Sequence, residues 1–146
     1  MMSKRPAKPA GMSWVSPYLM VKDAATALDF YQRAFGLERK EAIKGPDGRI
    51  MHAEVVWHDS VIMFGSECEK EPQIKAPATT GVQPPVALYL YCDDVDALFA
   101  RATKAGARVG SAPQNQFYGD RTCKLFDPDG HVWFFATHVG DFVPPQ

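Results

Sequence analysis

The stretch YLMVKDAATALDFYQRAFG, residues 18–36, decides the fold. Four apolar residues run into Asp23, and then Ala24, Ala27, Leu28, Tyr31, Ala34 and Phe35 recur at i, i+3, i+4, i+7 spacing up to Gly36. An aspartate before a helical stripe satisfies the free amides of the first turn, and a glycine adopts the left-handed conformation that ends it, so the stretch predicts strand, capped helix and stop. The same grammar recurs downstream. Val86 to Cys92 reads as a strand, Asp94 as the cap, Val95, Leu98, Phe99 and Ala102 as the stripe, and Gly106 as the stop. The caps Asp23 and Asp94 stand 71 positions apart, and the same offset matches Tyr18 with Tyr89, Leu19 with Leu90, Val61 with Val132 and Phe64 with Phe135. Each helix is followed by three strand candidates: Glu38 to Lys44, Ile50 to Trp57 and Val61 to Phe64, then Arg108 to Ala112, Arg121 to Phe126 and His131 to Thr137. Gly45-Pro46-Asp47-Gly48, His58-Asp59 and Asp127-Pro128-Asp129-Gly130 supply the turns. One βαβββ unit is therefore written twice.

This predicts an α+β fold of two tandem modules curling around a shared cleft. The first module spans about 14–69, a Pro-rich linker about 70–83 and the second module about 84–138; a basic flexible tail of 1–13 and a short tail of 139–146 complete the chain. At 146 residues it has the length of one domain, and 46% hydrophobic with 23% charged residues is a globular composition. Sixteen Lys and Arg against seventeen Asp and Glu give a net charge of −1, which offers no basic field for nucleic acid. No apolar run has the length of a membrane span, and the opening residues lack the apolar stretch of a secretory signal, so the expected place is the cytoplasm. Cys68, Cys92 and Cys123 are an odd number without CxxC spacing and read as ordinary thiols.

A four-stranded sheet with one helix on it leaves its other face uncovered. Two such modules must enclose a hollow or pair with another chain, and exposed edges favour a homodimer, with modules exchanged between chains as one form of it. By strand alternation, the face away from the helices carries Ser16, Tyr18, Met20, Val61, Met63, Ala87, Tyr89, Tyr91, Val132, Phe134, Ala136 and His138. Leu19, Val21, Leu88, Leu90, Cys92, Trp133 and Phe135 fall on the helix side.

The doubled unit, the entry VSPYLMVKDAATALDFYQRAFGLE and the exit FYGDRTCKLFDPDGHVWFFATHV together resemble the vicinal oxygen chelate superfamily, which contains glyoxalase I, bleomycin-resistance proteins, fosfomycin-resistance enzymes and extradiol dioxygenases. The resemblance runs from about Trp14 to His138 and is closest to the PhnB-like, demethylubiquinone-methyltransferase-like group, of which FYGDR is a mark. It implies one divalent metal held from the first and last strands of each module, at positions that here are Ser16, Met63, Ala87 and Phe134. A hydroxyl, a thioether, a methyl and a phenyl ring do not supply the imidazole and carboxylate donors that such an ion needs at about 2.0 to 2.2 Å. No cofactor is expected, and a ligand cleft is what remains: Tyr18, Met20, Met63, Tyr89, Tyr91, Phe117, Tyr118, Arg121, Phe134 and His138.

His52 and Glu54, two apart on one strand, share a face. They are the candidate catalytic pair, as a general base with an orienting carboxylate or as two ligands of a relocated metal; an exposed strand edge would carry the same residues for solubility. Arg121 is poised to fork an anionic ligand under Phe117 and Tyr118, or else to pair with Asp120. His131 and His138 differ in strand parity, His58 belongs to a turn, and Trp14, Trp57 and Trp133 suit core or interface. No nucleophile elbow, phosphate loop or dinucleotide fingerprint is present. Three functions follow: a protein that sequesters a small aromatic or amphipathic molecule in a metal-free cleft; a lyase, isomerase or dioxygenase with a divalent metal on His52, Glu54 and His138, or a metal-free acid-base catalyst; and a module that serves only assembly.

Overall fold

The computed structural model describes residues 4–146, so the first three residues of the predicted tail lie outside it. Its elements run β1 (Tyr18–Val21), α1 (Ala24–Phe35), β2 (Glu38–Lys44), β3 (Ile50–Trp57), β4 (Ser60–Ser66), α2 (Pro77–Thr80), β5 (Ala87–Tyr91), α3 (Val95–Lys104), β6 (Arg108–Asn115), β7 (Asp120–Phe126) and β8 (Val132–His138). The strands form two sheets of identical order, β1-β4-β3-β2 and β5-β8-β7-β6. In each, the first and last strands of the module pair in parallel and the rest antiparallel. The offset read from the sequence is the offset of the ladders: Tyr18 pairs with Met63, and Tyr89 with Phe134.

Both aspartate caps form. Asp23 accepts from the Thr26 amide at 3.0 Å and Asp94 from the Ala97 amide at 3.1 Å. Gly36 closes α1 with φ 71°, and a Cβ there would lie 2.8 Å from the Arg101 guanidinium, so the position needs glycine for both conformation and space. That guanidinium reaches across from α3 to the last carbonyls of α1, donating to Arg33 O at 2.8 Å and Gln32 O at 3.0 Å. The modules are thus joined helix to helix. The second helix departs from expectation at its end, which is Ala105 in a right-handed conformation, with Gly106 following at φ 107°.

One core serves both sheets. Tyr31 and Phe35 of α1 pack at a tilt against Trp133 and Phe135 of β8, with ring centroids 4.8 to 5.1 Å apart, while Tyr31 also meets Phe64 edge-on. The DPDG turn closes the joint: buried Asp127 accepts from Tyr31 Oη at 2.7 Å, Trp133 Nε1 at 2.9 Å and the amides of Asp129 and His131. Asp129 accepts from the Lys22 amide at 2.8 Å, and His131 Nε2 meets Met20 O at 2.7 Å. His131, expected to open the last strand, therefore precedes it and ties the modules together.

Two further corrections have clear causes. β6, expected to end at Ala112, continues through Pro113 to Asn115, because it is an edge strand where a missing amide costs no ladder bond. The linker holds the short helix α2, fixed by tertiary contacts: the Ala78 amide donates to Asp129 O at 2.8 Å, and Glu67 accepts from the Ala76 amide and the Thr79 hydroxyl. Trp133 is core, Trp57 donates to Tyr91 O across the module joint at 2.8 Å, and Trp14 is exposed with Lys8 over its ring. No helix among the described residues is long and apolar enough to cross a membrane.

Candidate functional site

Strand pleating sends every second side chain away from the helices, and on this face the sheets are aromatic. Tyr18, Tyr89 and Tyr91, on the edge strands β1 and β5, are 52%, 43% and 55% exposed, while Leu19, Val21, Leu90, Trp133 and Phe135 on the opposite parity are buried. Between the modules, where β1 and β5 approach, lies a groove of about 770 Å³ whose walls include Tyr18, Trp57, Leu88, Tyr89, Tyr91 and His131. Its size is that of a small-molecule site. Met20, Met63, Phe134 and His138 share the sheet faces flanking it but are not among its walls.

The first sheet carries a polar relay. Tyr18 Oη lies 3.1 Å from His52 Nδ1, His52 Nε2 lies 2.9 Å from Glu54 Oε2, and Lys40 Nζ is 3.8 Å from Glu54 Oε1. A carboxylate takes the Nε2 proton, which leaves Nδ1 to accept from the Tyr18 hydroxyl. Burial, then the charge of Glu54, holds the Tyr18 phenol above its ordinary range, so it stays a donor. The pair is half-buried on an interior strand, which excludes the exposed-edge reading of His52 and Glu54.

The second sheet carries a different cluster. Asp120, 3% exposed, accepts from Tyr89 Oη at 2.6 Å and Tyr91 Oη at 2.8 Å on one oxygen, and its other oxygen lies 2.8 Å from His138 Nδ1. Burial alone would raise the Asp120 carboxyl; the three side-chain hydrogen bonds outweigh it and hold the acid below its usual range. Desolvation and the Asp120 bond push the Tyr89 phenol well up. Sequence reasoning placed Asp120 beside Arg121 as an ion pair. The structure instead sets Arg121 on the helix face, forked onto Asp96 at 2.8 and 3.0 Å and onto Asn115 at 3.1 Å, so it is neither Asp120's partner nor a cleft residue. The reason is parity: neighbouring residues of a strand point to opposite faces. Phe117 packs on Tyr118 and Phe142 at the end of this sheet. The signal that finds the cluster is the hairpin register: counting back from Phe126 opposite Val132 brings Asp120 opposite His138.

The positions that the resemblance assigns to a metal do not fit one. Ser16, Met63, Ala87 and Phe134 offer a hydroxyl, a thioether and two hydrocarbon groups, and Ser16 Oγ is buried without a hydrogen-bond partner. Nor do His52 and Glu54 make up a relocated set: both imidazole nitrogens are engaged, and among the described residues no three His, Cys, Asp or Glu side chains gather as ligands. Cys123 is buried, and desolvation pushes its thiol up to about 11, so it is no nucleophile.

Two uncharacterised mycobacterial proteins, from Mycobacterium tuberculosis and Mycobacterium bovis, are 38% identical over 126 residues, 86% of this chain and 74% and 83% of theirs. Among solved structures, TioX from Micromonospora sp. ML1 matches with a TM-score of 0.67 at 26% identity, over 87% of this chain and 99% of that one. TnmS3, an antibiotic binding protein from Streptomyces sp. CB03234, matches with a TM-score of 0.63 at 26% identity, over 84% and 93%. The family model for Glyoxalase/Bleomycin resistance protein/Dioxygenase superfamily matches residues 11–135, nearly the whole of the doubled module. With the repeated βαβββ ladders, the aspartate-capped helices and the DPDG joint already in place, that match makes this chain a member of the glyoxalase/bleomycin resistance protein/dioxygenase superfamily.

Proposed function

We propose that this chain binds a small aromatic or amphipathic molecule in a metal-free cleft built on its tyrosine-rich sheet faces. The observation that carries the reading is the 770 Å³ groove between modules, flanked by three tyrosines whose rings remain open. Aromatic walls with a few oriented polar groups are what a planar ligand needs. The likeness to an antibiotic binding protein supports the same class of role. The missing donor set at Ser16, Met63, Ala87 and Phe134 favours binding over the metal-dependent chemistry that other members of such a family carry out.

Closure of the cleft is assigned to a second copy. The open sheet faces and the exposed edge strands β2 and β6 support closure by twofold pairing with a second chain. Unpaired Cys68, Cys92 and Cys123 suit a reducing compartment and so support a cytoplasmic protein, and the FYGDR exit supports kinship with the PhnB-like group.

The test is titration of the purified chain with planar aromatic compounds, followed by tryptophan fluorescence, with and without EDTA. Saturable binding that survives EDTA is expected, and Tyr89→Ala, which removes a wall of the groove, should weaken it by about 1 to 3 kcal/mol. Binding lost to chelator and restored by a divalent metal would refute the reading. Sedimentation at tens of micromolar, roughly where obligate pairs stay together, tests the dimer.

A further inference from the structure

The Asp120 cluster is more than the fold requires. Tyr89 and Tyr91 are half-exposed rings at a sheet edge, and neither belongs to the core that Asp120 would have to hold together. What the carboxylate does fix is His138. Its oxygen 2.8 Å from Nδ1 settles the tautomer: Nδ1 carries the proton, and the one ring nitrogen left free in the neutral imidazole is Nε2, with a lone pair. The His138 side chain is 64% exposed, whereas that of Asp120 is 4% exposed.

The backbone holds this geometry from behind. Val139 and Gly140 amides donate to Gly119 O at 2.8 and 3.1 Å, and the Gln116 amide donates to Asp120 O at 2.7 Å, so the end of β8 is stapled to the loop that carries Asp120. Gly119 has φ 94°, and a Cβ on it would run into Gly140 O and stand 3.0 Å from His138 Cε1. The imidazole is therefore packed against a glycine that cannot be enlarged, a preorganised orientation rather than a free surface rotamer.

The surroundings define the ligand. Tyr91 pairs with Ala136, two residues from His138 and about 7 Å along the strand, so an aromatic ligand seated on the Tyr91 ring has the His138 imidazole as its polar neighbour. An anionic carboxylate is a poor match, because Asp120 lies behind the imidazole and the Arg121 fork is spent on Asp96. A neutral hydroxyl donor fits.

We propose that His138 Nε2 is the proton acceptor for a weakly acidic hydroxyl, phenolic or enolic, on an aromatic ligand, with Asp120 as its positioning residue; this rests on the aromatic-cleft reading above. In the transfer the ligand O–H bond breaks, its electron pair stays on oxygen, the proton forms Nε2–H, and the imidazolium is paired with the Asp120 carboxylate.

The test compares 2-naphthol with its methyl ether, 2-methoxynaphthalene, which keeps the rings and loses the acidic proton. Both are titrated into the full chain, into Asp120→Asn and into His138→Gln, reading affinity by fluorescence and the naphtholate band by absorbance. The wild type should prefer the naphthol by at least about tenfold, roughly the worth of one good polar contact, and show the naphtholate band. His138→Gln should remove both, and Asp120→Asn should remove the band with circular dichroism unchanged, which a purely structural aspartate would not do. Equal affinity of the two probes for the wild type, or a preference that survives His138→Gln, overturns this proposal and leaves the cleft reading standing. If neither probe binds, both fall. Should Asp120→Asn fail to fold, His138→Gln decides alone.

Discussion

Tyr31→Phe isolates the bond that fastens the modules. Tyr31 is fully buried, its ring packs on Phe35, Phe64 and Trp133, and phenylalanine keeps every one of those contacts. Only the 2.7 Å donation to Asp127 is lost. Asp127 retains Trp133 Nε1 and two backbone amides, so the carboxylate is not stranded, and the expected cost is that of one hydrogen bond to a charged acceptor, about 2 kcal/mol. For a chain of this size that lowers Tm by about 4 to 8 °C. Equilibrium urea unfolding is the assay, and the midpoint should fall with an unchanged slope, because the surface exposed on unfolding is the same. In the Asp127→Asn background the further loss from Tyr31→Phe should shrink by about 1 kcal/mol or more, since the pair is coupled. A midpoint within error of wild type, or full additivity of the two changes, would refute the claim that this bond clamps the modules.

Gly119→Ala should destabilise by more than about 1 kcal/mol and shift the His138 side-chain NMR signals, because the added methyl meets both Gly140 O and the imidazole at a positive φ. Asp120, held below its ordinary range in the folded chain, contributes stability that is present above about pH 4 and is lost as pH falls through the lowered folded value. The stability gap between wild type and Asp120→Asn should therefore narrow on acidification below that point, and a gap that widens there contradicts the assignment. With a disulfide reagent at neutral pH, exposed Cys68 should react first, whereas Cys123, buried and pushed up to about 11, should react only in denaturant.

The fold was legible because it is written in local chemistry. Asp23 and Asp94 are caps wherever they stand before a helical stripe, and the offset between them is carried unchanged into the strand pairings of Tyr18 and Tyr89. What escaped was set by tertiary context. Pro113 is acceptable in β6 only because that strand is an edge, and α2 is held by Asp129 O, which receives the Ala78 amide, and by Glu67, which receives the Ala76 amide and the Thr79 hydroxyl. His52 with Glu54 was readable, two residues being the repeat of a strand face. Asp120 was not read correctly, since its partners Tyr89, Tyr91 and His138 lie 31, 29 and 18 residues away, while the charge next door, Arg121, points to the other side.

The duplication itself bears on the ligand. Gly65 and Ala136 occupy the same place in the two ladders, so His52 corresponds to Thr122, Glu54 to Lys124 and Ile50 to Asp120. The tyrosines repeat and their polar partners do not. Around Tyr18 the hydroxyl is committed as a donor to His52; around Tyr89 and Tyr91 the hydroxyls are committed to Asp120, which in turn leaves an acceptor at His138 Nε2. At the positions that the family pattern gives to four metal donors, the chain has two small residues, Ser16 and Ala87, beside two bulky apolar ones, Met63 and Phe134. On the proposed reading, a centre of that composition offers an ion no donor set, and binding over it would be driven by apolar contact with selectivity left to the rim. The rim differs between the modules. An aromatic surface with unlike polar ends holds an asymmetric ligand in one orientation, which a metal at the centre of two like modules would otherwise have to impose.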